Sequence, residues 1–212
     1  MSSATQAAMV FWRWFAAKAE QLRSAYGADD LAPFVAEVEA GLARLGRGVR
    51  WEVGPHDEAG EMLFFALGAA GDRDQLRRNR EVVAGAPDVP GWVFLAAKPA
   101  KRWRRRRAQI RYAGERRWVD FDRWGFSARP TRAGAVVRFV ARDVAACEAS
   151  TLEGLGWLLL DWELGEERAM DEVADVVMVD ALEDECCHAR HSRERRAGYV
   201  MGISDAAGLG RA

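Results

Sequence analysis

The chain has 212 residues, half of them hydrophobic and 30% charged, which is enough length and apolar content to bury a substantial core. Its 31 Lys and Arg balance 32 Asp and Glu to a net charge of −1, which excludes a global field that would draw it to DNA or to an anionic membrane. Three cysteines, Cys147 and the adjacent Cys186 and Cys187, make no disulfide framework, and no apolar run reaches the roughly 18 residues of a membrane helix.

Residues 4–26 carry a helical pattern with Val10, Phe11, Trp14, Phe15, Leu22 and Tyr26 on a broad apolar face, ended by Gly27. Asp29 or Asp30 is placed to cap a second helix whose stripe is Leu31, Phe34, Val35, Val38, Leu42 and Leu45. Val49, Trp51 and Val53 alternate with Arg50 and Glu52, the pattern of a half-buried strand. Met62–Leu67 is apolar on both faces and reads as a central strand. Asp72 with Gln75 opens a polar, arginine-rich helix that runs to about Gly85, and Trp92–Ala97 is the return strand.

Gln109–Tyr112 and Arg116–Val119 predict a small hairpin turning at Ala113-Gly114. Gly125–Arg129 and Ala135–Ala141 predict another across Pro130–Gly134. Ser150 with Glu153 reads as a capping box for a helix with Leu152, Leu155, Leu159 and Trp162 on one face, and Asp175–Val179 closes the series as a strand. Two halves, about 48–98 and 124–180, therefore share the order strand–strand–helix–strand. The expected fold is α+β: one domain over 1–182 with a single mostly antiparallel sheet built from two β-β-α-β halves and two N-terminal helices packed on it. Residues 183–212 turn to charge, glycine and alanine and predict a loosely held tail. The first fifteen residues lack a basic start and Arg13 interrupts their apolar run, so no signal peptide is expected and the cytoplasm is the expected compartment.

Four sets of residues together have a familiar pattern. Phe11-Trp12-Arg13-Trp14-Phe15 opens the first helix, and Trp51-Glu52-Val53-Gly54 lies in the first strand. Ala86-Pro87 with Trp92 and Lys98-Pro99 flanks the third strand. Leu158-Leu159-Leu160-Asp161 with Leu164-Gly165-Glu166 ends the last helix. Over about residues 10–182 the chain resembles a family of bacterial cytosolic domains that begin with a Phe-Trp-x-Trp-Phe helix. That resemblance implies no settled activity, so it assigns no catalytic residue. The chain departs from the family where a compact Arg-Pro-Arg-like end is expected, having Lys98-Pro99 and an extended arginine run instead, and its tail after Leu182 is extra.

The densest charge of one sign is Lys101-Arg102-Trp103-Arg104-Arg105-Arg106-Arg107, flanked by Lys98 and Arg111. Six cations around an indole could grip phosphates and stack one base. The competing reading is a strand end that neutralises Glu163, Glu166, Glu167, Asp171 and Glu172. Trp12 and Trp14 are two apart and diverge by about 200° on a helix, so either one is buried and the other open as a partner anchor, or the helix is buried on two sides. Cys186, Cys187, His188 and His191 are soft and imidazole ligands within six residues, but they lack the two-pair spacing of a structural zinc site. Gly68-Ala-Ala-Gly71 could offer backbone N–H groups to an anion yet lacks P-loop spacing.

Cys147 and His56 have no motif around them, and nothing pairs Glu52 with Asp161 as an acid and a base. No catalytic site, cofactor or metal is expected. The expected function is a non-enzymatic cytoplasmic binding or regulatory protein with a macromolecular partner, a protein in preference to a nucleic acid, and no membrane. Its contact residues are expected to be Lys98, Lys101, Arg102, Trp103, Arg104, Arg105, Arg106, Arg107 and Trp12. The alternative is a nucleic-acid-binding module using the basic run 101–107.

Overall fold

The first helix forms where its apolar face predicts it, α1 spanning Ser3–Gly27. The computed structural model describes residues 3–46, 49–57, 59–101, 106–112, 114–141, 144 and 147–182. By its internal contacts the chain divides after Pro99 into two compact units. Helices and strands together make an α+β fold. The 183–212 tail, with its cysteines and histidines, lies outside the described residues.

In the first unit α2 (Ala32–Ala43) follows α1. Its N-cap is Leu31, with no side-chain cap, so neither Asp29 nor Asp30 plays the expected part; Pro33 opens the helix instead. Strands β1 (Arg50–Pro55) and β2 (Leu63–Gly68) pair antiparallel with Trp51 opposite Leu67 and Val53 opposite Phe65. Helix α3 (Arg73–Ala84) carries the chain to β3 (Trp92–Leu95), which lies parallel to β2. Phe11, Trp12, Phe15 and Leu22 of α1 pack with Trp51, Phe65, Leu67 and Trp92, with the Phe15 ring centroid 5.0 Å from those of both Phe65 and Trp92. Strand β1 differs from its half-buried reading: Glu52 and Gly54 are buried along with Trp51 and Val53.

Two polar groups tie this unit together. Asn79 of α3, 1% exposed, donates from Nδ2 to Leu67 O and Ala96 O and accepts from Gln75 Nε2, so one side chain ties α3 to β2 and to the segment just past β3. Arg23 of α1 donates to Glu61 O and to Gly91 O. Gly91 sits at φ +75° in the turn before β3, and a Cβ there would stand 1.7 Å from the Arg23 guanidinium.

The second unit begins with β4 (Arg107–Tyr112) and β5 (Glu115–Asp120), an antiparallel pair, followed by a short 3₁₀ turn, Phe121–Arg123. Strands β6 (Gly125–Thr131) and β7 (Gly134–Val140) form the second predicted hairpin. Helix α4 (Ala149–Leu164) and α5 (Glu166–Glu172) then lead to β8 (Val173–Met178), parallel to β7. The expected Ser150–Glu153 capping box is absent: the N-cap is Glu148 and makes no side-chain cap. Leu155, Leu159 and Trp162 are buried as predicted, and Phe121 meets Trp162 edge-on at 5.6 Å.

Each unit thus holds strand–strand–helix–strand with an antiparallel pair followed by a parallel one. The single mostly antiparallel sheet does not form. There are three sheets among the described residues, β1-β2-β3, β4-β5 and β6-β7-β8, and the two larger ones are mixed. The reason is local: a hairpin and one crossover close each three-stranded ladder within its own half. Alternation identifies faces, not which edge joins which.

Candidate functional site

A two-stranded ribbon can bury only one of its faces, and the β4–β5 pair shows which. Ala108 stands opposite Val119 and both are buried, with half-buried Ile110 two residues further along the same face. The other face then carries Arg107, Gln109, Trp118, Arg116 and Asp120. Gly114, at φ +82°, supplies the left-handed turn residue between the strands. Trp118 lies directly opposite Gln109 and is 67% exposed, the most open large apolar side chain among the described residues.

The charges on and beside this ribbon fall into two groups. Arg107 grips Asp120 through Nε and an Nη at 3.0 and 2.8 Å, and Arg117 pairs with Glu115 at 3.5 Å while covering the Tyr112 ring on the far face. Arg106 bonds Glu163 at 2.8 Å. Arg116 and Gln109, by contrast, are exposed and make no side-chain bond to the described residues. Residues 100–123 hold ten Lys and Arg against three Asp and Glu, a local net charge of +7 in a chain whose total is −1.

The sequence-predicted contact residues are dispersed. Lys101 is 4% exposed, its ammonium lies 5.3 Å from the Trp162 ring centroid, and its backbone N–H donates to Trp162 O at 2.6 Å. It faces the interior of the second unit and not a partner. Arg106 and Arg107 are held by Glu163 and Asp120, as the neutralising reading of the run anticipates for Glu163. Arg102, Trp103, Arg104 and Arg105 lie outside the described residues, as do Cys186, Cys187, His188 and His191. Lys98 is half-buried at the end of the first unit. Trp12 is not an anchor: it is 2% exposed and donates from Nε1 to Val82 O at 2.8 Å. Trp14 is the more open of the two, its Nε1 bonded to Glu37 Oε2 at 2.9 Å.

The remaining candidates resolve simply. The N–H groups at the start of α3 are taken by its own cap, since Asp72 Oδ1 accepts from Asp74 N and Gln75 N. Those bonds, the Gln75 one foremost, with the Arg78 charge, hold the Asp72 carboxyl below its ordinary value. An anion at Gly68–Gly71 would compete with that carboxylate. Cys147 is buried, His56 is exposed, and Glu52 and Asp161 belong to different units. A shallow groove of about 280 Å³ between α1 and α2 is lined by Ala7, Val10, Trp14, Glu37, Ala40 and Gly41, among others.

Trp118 is the residue that sequence reasoning missed. The signal was present: Val119 and Ala108 mark the buried face, so their neighbour Trp118 must project from the other one. No helix among the described residues is long and apolar enough to cross a membrane. No family model, no curated protein and no solved structure matches the chain.

Proposed function

We propose that the chain is a non-enzymatic binding protein that engages a macromolecular partner through the open face of the β4–β5 ribbon. The supporting observation is Trp118, an indole two-thirds exposed on a two-stranded ribbon whose own burial is supplied by Ala108 and Val119. Large aromatic side chains dominate the energetics of contact surfaces because they bring much area with few rotors. A cytoplasmic setting is supported by the three cysteines, which make no disulfide framework. A grip by the 101–107 run itself is the weaker reading, because its described members are buried or held by carboxylates.

The test is capture of the tagged full-length protein and of its Trp118→Ala variant from host lysate, each with and without nuclease. A stoichiometric partner recovered by the native chain and lost by the variant supports the reading. Identical recovery by both chains, or no partner at all, overturns it.

A further inference from the structure

We infer that the ribbon face binds single-stranded nucleic acid, with a base stacked on Trp118 and a phosphate held by Arg116. This inference rests on the ribbon being the contact surface and assigns its ligand. Three observations favour that ligand over a protein. First, the indole has no apolar neighbour on its own face: Gln109 lies across from it, and Arg116 and Asp120 lie two residues away along β5, about 7 Å each. A protein anchor sits at the centre of an apolar, water-excluding patch, whereas a stacked base needs only one flat ring with polar groups beside it.

Second, the surroundings have the complementary charge. On this face Arg116 is exposed and has no carboxylate partner among the described residues. Arg107, in contrast, is occupied by Asp120 on the same face. Cations that the fold consumes are thereby distinguished from Arg116, which is open and lies on the same strand and face as the indole. Third, Gln109 presents both an amide donor and a carbonyl acceptor beside the ring, the groups that read the hydrogen-bonding edge of an unpaired base. A duplex hides its base faces in the stack, so a ring on a flat ribbon favours a single strand.

The probe is a fluorescein-labelled twelve-nucleotide oligothymidylate, titrated with the full-length protein by fluorescence anisotropy at low and at physiological salt. The matching duplex serves as the comparison. Binding to the single strand should exceed that to the duplex and weaken with salt. Trp118→Ala should weaken it about tenfold or more, Trp118→Phe should restore most of it, and Arg116→Glu should weaken it several-fold. Because both side chains are exposed, far-UV circular dichroism should be unchanged in every variant. Equal single-strand affinity for the native chain and Trp118→Ala, or preference for the duplex, overturns the inference. No binding by the native chain also overturns it, and if capture of a nuclease-resistant protein still depends on Trp118, the ribbon reading survives with a protein as its ligand.

Discussion

Replacing Trp12 by alanine is the sharpest test of how the first unit is held together, and the magnitude follows from three contributions. Trp12 is 2% exposed, and an aromatic side chain of this size buries about 150–250 Å², so about 25 cal/mol per Å² gives an upper value of about 4–6 kcal/mol. Its ring packs edge-on to Phe11 at 4.9 Å and to Phe65 at 6.3 Å, so deletion opens a cavity among rings that cannot all move at once. The lost Nε1 bond to Val82 O adds only about 1 kcal/mol, because that carbonyl also accepts from Gly85 N at 3.2 Å and is not left orphaned. The expected loss is about 4 kcal/mol for Trp12→Ala and about 1–2 kcal/mol for Trp12→Phe, which removes the bond but leaves a ring. Trp118→Ala, at 67% exposure, should fall within about 0.5 kcal/mol of the native chain. Urea unfolding followed by far-UV circular dichroism separates the three. A Trp12→Ala loss below about 1 kcal/mol would refute the packing of α1 on the β1–β3 sheet, and a loss above that for Trp118→Ala would refute its exposure.

Asn79→Leu keeps the volume but removes bonds to Leu67 O, Ala96 O and the Gln75 amide inside the unit, for an expected loss of about 2–4 kcal/mol seen as a lower urea midpoint; a neutral result would exclude the network. Gly156→Ala places a Cβ 2.6 Å from Val176 Cγ1 and 3.1 Å from the Phe139 ring, so overpacking of about 1–3 kcal/mol outweighs the gain of about 1 kcal/mol in helix propensity. A lower melting temperature is expected, and a higher one would show that α4 can move off β7 and β8. The Asp72 carboxyl has a folded pKa below its unfolded value, so its ionised cap contributes stability above about pH 3.9 and loses it as pH falls through the lower folded value. Asp72→Asn preserves an N-cap without that titration, so the acid limb of its melting-temperature profile should be shallower below about pH 4, whereas Asp72→Ala should melt lower throughout the neutral range. Acid limbs that superimpose for the native chain and Asp72→Asn would argue against the cap.

Periodicity and turn or capping residues made most of the elements legible: α1 and α4 through their apolar faces, α3 through Asp72 and Gln75, and the hairpins through alternation and their turns. What it did not convey was partnership. Leu63–Gly68 is apolar on both faces and so reads as central, which it is, but nothing in that pattern says that its sheet stops at three strands. Glu52 alternates correctly for a polar face and is nonetheless 2% exposed, since a strand's pattern reports the chemistry of its two faces and not what lies over them. Helix α5 was missed because seven residues with Glu166, Glu167, Arg168, Asp171 and Glu172 carry almost no apolar stripe; its buried members are only Glu166 and Ala169. The basic run was legible as charge and not as geometry. Whether an arginine meets a phosphate or a carboxylate depends on Glu163 and Asp120 arriving beside it, and neither adjacency is written in the local sequence.

Several cations of the second unit are consumed by its own fold. Lys101, Arg106 and Arg107 are all explained from within the second unit: one ammonium lies close to an indole ring and two guanidiniums are held by carboxylates. Val119 and Ala108 likewise supply the apolar face that a short hairpin needs in order to dock. Trp118 has no such explanation. A threonine at that position would also suit a strand, and the indole's apolar area gains little from folding while it stays two-thirds in water. On the reading proposed above, its contribution comes from a partner that covers it, and Arg116, an exposed cation beside it without a carboxylate partner among the described residues, favours a covering group of negative charge.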